Sequence, residues 1–251
     1  MAVVVTRPAQ EAARWAARLR ERGIDAIALP LLAIGAPADP SGLRQAAEAA
    51  QRYAALIFVS ANAVHGFFSF HPVLGRARAW APGPATADAL RSHGVPGERI
   101  DAPAADAQQF DSESLWQQVG TQLSAGDRLL LVRGGDGEGR SQGRDWLAQQ
   151  LAARGVEVDT VVAYTRQPPL WSESEHAAAR AAAADGSIWL FSSSEAAGNL
   201  RQLLPAQDWS RARALATHPR IADAVRGLGF GEVRESRPGL DDVVASIESR
   251  R

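Results

Sequence analysis

Short apolar runs alternate with longer amphipathic stretches along the chain. The apolar runs are rich in Val, Ile, Leu and Phe and have the length of buried β-strands, whereas the stretches between them repeat apolar residues with the period of an α-helix. This alternation is typical of βα units around a parallel sheet, and helices are expected to fill most of the gaps between strands. The predicted strands are 2–5, 25–29, 55–59, 77–81, 128–132, 156–163, 187–191, 212–216 and 231–234.

One strand, turn and helix pattern occurs twice. Residues 77–94, ARAWAPGPATADALRSHG, match residues 212–229, ARALATHPRIADAVRGLG, without a gap at 10 of 18 positions. The repeat is wider than this, because LIFVSANAV at 56–64 resembles WLFSSSEAA at 189–197, and the first βαβ pattern resembles the one that begins LLLVRG. Two similar α/β halves are therefore expected. The identities that do not involve alanine are Arg78/Arg213, Pro84/Pro219, Asp88/Asp223, Arg91/Arg226 and Gly94/Gly229.

Length and composition narrow the class of protein. The 251 residues exceed the roughly 100 to 150 residues of a usual single core, which favours two domains. A net charge of -1 gives no support to a nucleic-acid or membrane surface. The first residues, MAVVVTRP, run into a strand pattern rather than a secretion signal, so we expect a cytoplasmic protein. Neither cysteine nor lysine occurs, which excludes thiolate nucleophiles, Schiff-base chemistry and a Walker lysine.

The boundary between the two halves allows two divisions. One is a sequential cut near residue 125, and the other is a nested division in which the first βαβ pattern joins the last third of the chain. Prolines favour extended connectors, and the exits from both βαβ patterns contain them, so the nested division is preferred. These prolines are Pro30, Pro37, Pro40, Pro168 and Pro169. The predicted fold is two doubly wound parallel-sheet (flavodoxin-like) domains, the first made of residues 1–35 and 168–251 and the second of residues 36–167.

Polar residues at predicted helix starts are the main candidates for ligand binding. In doubly wound domains, ligands bind beyond the carboxyl ends of the strands, where loops enter helices. Helix N-termini with hydroxyl groups would bind anions there, although each such residue also fits a simple N-cap. The pairing of these positions across the repeat favours binding. The candidates are Ser60, Ala61, Asn62, Thr86, Ser193, Ser194, Thr217 and His218, and the last of these also fits a residue that merely decorates a turn.

Two arginines and one tyrosine occupy predicted strand ends. Arg7 and Arg133 lie at equivalent positions of the repeat and could bind carboxylates, or could pair with a local Asp or Glu. Tyr164 lies at the end of a strand where the chain leaves the second domain, so its hydroxyl could reach a cleft shared by the domains or could serve packing. Tyr53, the other tyrosine, lies at a helix-to-strand junction and is interpreted as structural.

Other polar segments carry weaker signals. The glycine-rich segment GGDGEGRSQGR at 134–144 has neither the GxGxxG spacing nor a lysine, so it is interpreted as a mobile loop. The histidines show no metal-ligand spacing, and no Ser-His-Asp order is evident. No metal site is therefore expected.

Taken together in their order, these motifs resemble the uroporphyrinogen-III synthase family. The resemblance runs from residue 3 to about 230 and rests on an ordered set of motifs that are individually weak. The set is VTRP, LIFVSANAV, GPATADALRSHG, LLLVRG followed by GRDWLAQQLAARG, VVAYTRQ, WLFSSSEAAGNL and ATHPRIADAVRGLGF. Departures include Val59, where the family often has threonine, and a longer loop after Arg133.

The resemblance implies a fold and one reaction. It implies two α/β domains joined by a two-stranded connector, and cyclisation of hydroxymethylbilane to uroporphyrinogen III with loss of water and inversion of ring D, with no cofactor. The implied partner is this substrate, which carries eight carboxylates and would be handed over transiently by hydroxymethylbilane synthase. By resemblance, Tyr164 would help the hydroxyl group leave, and the hydroxyl and helix-start positions would bind substrate. These positions are Ser60, Thr86, Ser193 and Thr217.

Two other functions compete with this interpretation. A non-catalytic two-domain module that binds a polyanionic small molecule fits the same helix starts, but the lack of a secretion signal and the tyrosine at the connector count against it. A nucleotide-sugar transferase would need a DxD segment, and Asp241-Asp242 lacks that spacing.

Overall fold

The computed structural model describes residues 2–104, 107, 110–141 and 146–249. The chain forms two compact units, of which unit 1 comprises Met1–Ala33 and Gln167–Arg251 and unit 2 comprises Ile34–Arg166. Each unit is built on its own sheet, and unit 1 draws strands from both ends of the chain. The expected α/β fold with a discontinuous first domain is thereby confirmed.

The helices and strands alternate through most of the chain. The strands are β1 (Val3–Val5), β2 (Ala26–Ala28), β3 (Ala33–Gly35), β4 (Ala55–Phe58), β5 (Arg78–Trp80), β6 (Ile100–Asp101), β7 (Arg128–Gly135), β8 (Glu157–Gln167), β9 (Ile188–Phe191), β10 (Arg213–Ala216) and β11 (Glu232–Glu235). The α-helices are α1 (Ala9–Glu21), α2 (Pro40–Glu48), α3 (Ala61–Phe68), α4 (Pro84–Ser92), α5 (Ser112–Val119), α6 (Trp146–Ala152), α7 (Glu173–Ala184), α8 (Ser194–Leu203), α9 (Pro219–Arg226) and α10 (Leu240–Glu248). Single 3₁₀ turns lie at Ala50–Arg52 and Gly97–Arg99.

The two sheets share one spatial plan. In the described part of the chain, the sheet of unit 1 has the order β11-β10-β9-β1-β2, and that of unit 2 has the order β3-β8-β7-β4-β5-β6. If β7 and β8 are matched to β1 and β2, both sheets have the flavodoxin-type order, with β3 as an extra edge strand in unit 2. The order reverses between β1 and β9 in unit 1 and between β7 and β4 in unit 2. These two places are the topological switch points, where ligands of this fold class bind.

Each sheet is covered by helices on both faces. Alternate residues of a strand point to opposite faces, so Val4 belongs to the core beneath α7, α8 and α9, whereas Val3 and Val5 belong to the core beneath α1 and α10. In unit 2 the corresponding faces pack against α2, α3 and α4 and against α5 and α6. Strands buried on both faces must be apolar throughout, which explains the continuous apolar runs in the sequence.

The repeated sequence motif has a structural basis in the helices α4 and α9. Both begin with the proline of the motif. Proline suits the first helical position because an N–H group there has no intrahelical acceptor, so its absence costs no hydrogen bond. Both carry an ion pair three residues apart, Asp88 with Arg91 at 2.6 Å and Asp223 with Arg226 at 2.8 Å. These exposed pairs contribute only about 0.2–0.5 kcal/mol each. The shared identities therefore encode the same helix twice.

Two strands escaped the sequence prediction. The strands β3 and β6 have three and two residues, which is too short to show a period of apolar positions. In addition, β7 and β8 continue to Gly135 and Gln167, beyond the predicted strand ends at 132 and 163. The extensions pair with each other, so hydrogen bonding along the neighbouring strand maintains them where the apolar pattern has already ended.

The glycine in α3 allows a close approach that the glycine in α8 does not need. A Cβ atom on Gly66 would lie 2.2 Å from the carbonyl oxygen of Ala163 in β8, whereas a Cβ atom on Gly198 would meet nothing within 4 Å. Gly66 thus sets the distance between α3 and β8. Gly198 has only the low helix propensity of glycine.

We predict opposite effects of alanine at these two glycines. Gly66→Ala should destabilise unit 2 by about 1–3 kcal/mol because the helix must move away from β8. Gly198→Ala should stabilise unit 1 by up to about 1 kcal/mol. Denaturant unfolding of each variant measures both effects, and equal changes in the two variants would contradict the proposed contact.

Candidate functional site

The predicted site residues lie at or just after the carboxyl ends of strands. These strands either flank a switch point or are next to one that does. In unit 2, Arg133 lies in β7 and Ser60 follows β4, and these two strands flank the switch point. In unit 1, Arg7 follows β1 and Ser193 follows β9, the equivalent pair of strands. The structure therefore places both sets at the carboxyl ends of central strands within their own units.

A hydrogen-bonded chain joins α3 to Tyr164 in unit 2. The Oγ atom of Ser60 lies 3.0 Å from the Oη atom of Tyr164, and either hydroxyl can donate. The same Oγ accepts a hydrogen bond from the backbone N–H of Ala63 at 3.2 Å, so Ser60 caps α3. Tyr164 is 5% exposed, and a buried phenol requires a polar partner of this kind.

An irregularity in β8 positions this tyrosine. Arg133 pairs with Val162 and Gly134 pairs with Tyr164, so Ala163 is an extra residue in β8 and forms a bulge. Bulges of this kind change the direction in which a side chain points. A Cβ atom on Gly134 would lie 2.6 Å from Cζ of Tyr164, so only glycine leaves room for the phenol ring at this position. Gly134 thus supports the site, although the sequence analysis placed it in a mobile loop.

The other candidates of unit 2 lie in β7 and in the first turns of α3 and α4. Arg133 is only 3% exposed, and Ala61 and Asn62 are the half-buried first residues of α3. Thr86 is buried in the first turn of α4, which begins after Gly83 without a side-chain cap. The arrangement therefore gives two helix N-termini, one capped by a serine and one without such a cap, at the ends of neighbouring strands.

In unit 1 two of the equivalent candidates, Ser193 and His218, are helix caps. The Oγ atom of Ser193 accepts from the backbone N–H of Glu195 at 3.2 Å, and Nδ1 of His218 accepts from the backbone N–H of Arg220 at 3.1 Å. Ser194 donates to the carbonyl oxygen of Arg220 at 3.4 Å. Thr217 is buried. Caps of this kind satisfy backbone N–H groups at the first turns of α8 and α9.

Arg7 has local partners. Its guanidinium lies 3.4 Å from the carboxylate of Glu11 and 4.2 Å from the ring centre of Trp15. Its side chain is 12% exposed, and burial lowers the pKa of Arg7, an effect that Glu11 partly opposes. Of the two interpretations of this arginine, pairing with a local carboxylate describes these contacts.

The glycine-rich segment is better ordered than the sequence suggested. Gly134 and Gly135 belong to β7, and Oδ1 of Asp136 accepts backbone N–H groups of Glu138 and Arg140 at 3.0 and 2.9 Å. A bridge then joins Gly135 to Ser141. The expectation of a loop was therefore wrong for Gly134 and Gly135, and Asp136 closes a turn directly after the strand. Residues 142–144 of that prediction lie outside the described residues.

The described residues contain neither a cluster of metal ligands nor a membrane-spanning helix. No group of three or more His, Asp or Glu side chains there could hold a metal ion. Within the same residues, no helix is long and apolar enough to cross a membrane.

Comparison with known proteins gives a consistent result. A family model described as "Uroporphyrinogen-III synthase HemD" matches residues 13–245. The uroporphyrinogen-III synthase of Synechococcus elongatus is 30% identical over 220 residues, which cover 83% of this chain and 77% of that protein. The Salmonella typhimurium protein of the same name is 29% identical over 247 residues, covering 93% and 94% of the two chains. The crystal structure of uroporphyrinogen-III synthetase from Helicobacter pylori has the same fold, with a TM-score of 0.62 at 16% identity over 100% of this chain and 99% of that one.

We predict that Gly134→Ala breaks the hydrogen bond between Tyr164 and Ser60. The added methyl group would overlap the phenol ring, which must rotate or shift away. A crystal structure of the variant should place the two oxygens beyond hydrogen-bond range, about 3.5 Å. An unmoved ring would show that β7, rather than Tyr164, adjusts to the new side chain.

Proposed function

The chain belongs to the uroporphyrinogen-III synthase family, and we propose that Tyr164 helps it to convert hydroxymethylbilane to uroporphyrinogen III with inversion of ring D. The enzyme is a hydro-lyase that acts on hydroxymethylbilane and closes the tetrapyrrole ring. The match over residues 13–245 carries this conclusion, because it covers both units. The hydrogen-bonded Tyr164 at the end of β8 supports the mechanistic part of the proposal.

The substrate is a flexible molecule with eight carboxylates, and the described helix starts suit such a ligand. Helix N-termini present backbone N–H groups and a partial positive charge to anions. Arginines add paired hydrogen bonds to carboxylates. We propose that both units contribute such groups to substrate binding. The residues proposed for this role are Arg7, Ser60, Ala61, Asn62, Thr86, Arg133, Ser193, Ser194, Thr217 and His218.

The chemical step that we propose uses Tyr164 as a proton donor. Its Oη gives a proton to the hydroxymethyl oxygen as the C–O bond breaks, and the bonding electron pair leaves with that oxygen in water. The lone pair of the neighbouring pyrrole nitrogen stabilises the resulting azafulvene cation. The substituted carbon of ring D attacks this cation, and the spiro intermediate then fragments and closes at the free carbon of ring D. The proton released from that carbon replaces the one that Tyr164 gave, so the net change is the loss of one water.

Selection between the two products depends mainly on positioning. Unguided, the azafulvene closes without inversion, so the enzyme must hold a folded conformer in which the substituted carbon is the nearer nucleophile. Many weak contacts to carboxylates can fix such a conformer, and few acid or base groups are required. Because free hydroxymethylbilane also closes unaided, we expect transient handover from hydroxymethylbilane synthase to be advantageous.

The isomer of the product tests the proposed function. Purified protein is given hydroxymethylbilane, the products are oxidised, and the porphyrin isomers are separated. We expect isomer III. Isomer I alone, from folded protein and active substrate, would exclude catalysis and favour the alternative of a non-catalytic module that binds polyanions.

We predict that Tyr164→Phe slows isomer III formation without unfolding the protein. Loss of one hydrogen bond to the departing oxygen, about 1.4 kcal/mol, should lower kcat at least about tenfold. Loss of the bond to Ser60 should cost about 0.5–1.5 kcal/mol of stability. Single-turnover kinetics and denaturant unfolding measure the two effects.

Tyr53 provides a matched control for this substitution. It is the other of two tyrosines in the chain and lies near Arg128, at the amino end of β7. Burial first, and then the carboxylate of Asp159, raises the pKa of Tyr53, so its hydroxyl also has a polar environment. Tyr53→Phe should leave kcat unchanged. Equal turnover of both variants and the wild type would remove Tyr164 from the mechanism.

A further inference from the structure

We propose that Ser60 is a positioning residue whose hydroxyl donates to Tyr164, so that a relay of hydrogen bonds runs from the backbone of α3 through Ser60 to the phenol. The inference rests on the proposed function of Tyr164 and assigns a direction to the bond that joins the two hydroxyls. In this relay the N–H of Ala63 donates to Ser60 Oγ, and Ser60 donates to Tyr164 Oη. Tyr164 then keeps its own proton for the substrate.

Counting donors and acceptors allows this direction, and the proposed chemistry requires it. A hydroxyl has one proton to donate and two lone pairs that accept. The N–H of Ala63 occupies one lone pair of Ser60 at 3.2 Å, which leaves the Ser60 proton able to reach the Tyr164 oxygen 3.0 Å away. If Tyr164 donated instead, its only proton would be bound to Ser60. It could not then be transferred to the departing hydroxyl group.

The relay also favours proton transfer energetically. Hydrogen bonds in a chain polarise one another, so a phenol that accepts from Ser60 is a better donor. Negative charge develops on the phenol oxygen as it gives up its proton. The N-terminus of α3, to which Ser60 is bonded, carries a partial positive charge that stabilises this negative charge. The guanidinium of Arg166, 6.0 Å from the centre of the phenol ring, acts in the same direction.

Unit 1 contains the same cap without the phenol. Ser193 caps α8 as Ser60 caps α3, and the two helices follow equivalent strands. The side chain of Ser193 accepts from the N–H of Glu195 at 3.2 Å. A serine cap of this kind therefore forms in this chain without a phenol beside it.

Asparagine and aspartate at position 60 provide the sharpest test. Both are good N-caps with nearly the same shape. Asn can accept from Ala63 through its oxygen and donate to Tyr164 through its amide, whereas Asp can only accept and would bind the phenol proton. We expect kcat for isomer III to be about tenfold lower in Ser60→Asp than in Ser60→Asn, which corresponds to one hydrogen bond of about 1.4 kcal/mol.

Two comparisons separate this effect from charge and from capping. Repulsion of the carboxylated substrate by Asp raises KM, so the relay is judged by kcat at saturating substrate. In a Tyr164→Phe background the ratio of kcat between the Asn and Asp variants should fall to near one, because residue 60 then has no phenol to bond to. Ser172 caps α7 and is not among the proposed site residues, so Ser172→Asn and Ser172→Asp should differ in kcat by less than about threefold.

A second pair of variants guards against poor folding of the first. Ser60→Thr keeps the hydroxyl, and Ser60→Gly removes it at a position where glycine is well tolerated as an N-cap. We expect activity to be retained in the threonine variant and to fall about tenfold in the glycine variant.

The results distinguish the relay from the proposed function. A wild-type protein that forms isomer III, together with equal kcat in Ser60→Asn and Ser60→Asp, would overturn the relay alone. An Asn-to-Asp difference that persists in the Tyr164→Phe background would also overturn it. A wild-type protein that forms only isomer I would overturn the function and the relay together.

Discussion

Close packing of α3 and β7 against the bulged strand β8 is the constraint on which the candidate site of unit 2 depends. Two glycines make it possible, since Gly66 admits the carbonyl oxygen of Ala163 and Gly134 admits the ring of Tyr164. With larger side chains, either the helix or the strand would have to move. The N-terminus of α3 would then no longer lie within hydrogen-bond distance of the phenol. The position proposed for Tyr164 thus depends on having glycine at both 66 and 134.

The two units share one strand order, and only unit 2 has a tyrosine in its added strand segment. Both place a serine-capped helix after the strand next to their switch point, and this arrangement suits anions in either unit. In unit 2 the strand β8 is longer than its counterpart β2, and the tyrosine lies in the added part. On the proposed mechanism, one copy of the duplicated unit carries the reactive tyrosine, and both copies offer helix N-termini to the substrate.

Much of the fold was predictable from the sequence, and less of the site. Buried central strands such as Leu56 to Phe58 leave long apolar runs, and the repeated Pro, Asp, Arg and Gly positions revealed the duplication. Tyr164 and Ser60 were found as separate candidates, but their contact was not, because a bulge changes the register and leaves no mark on the apolar pattern. Gly134 was missed for another reason, which lies in its residue type. A glycine required by a neighbouring ring resembles, in sequence, a glycine in a loop.

The central position of β1 in the sheet of unit 1 constrains the order in which the chain can fold. This strand lies between β2 and β9 and pairs with both, yet about 180 residues of sequence separate β1 from β9. During synthesis on the ribosome, unit 2 has all of its strands before β9 emerges. The amino-terminal βαβ segment meanwhile has one strand edge without its partner, and an unpaired strand edge favours aggregation until β9 becomes available.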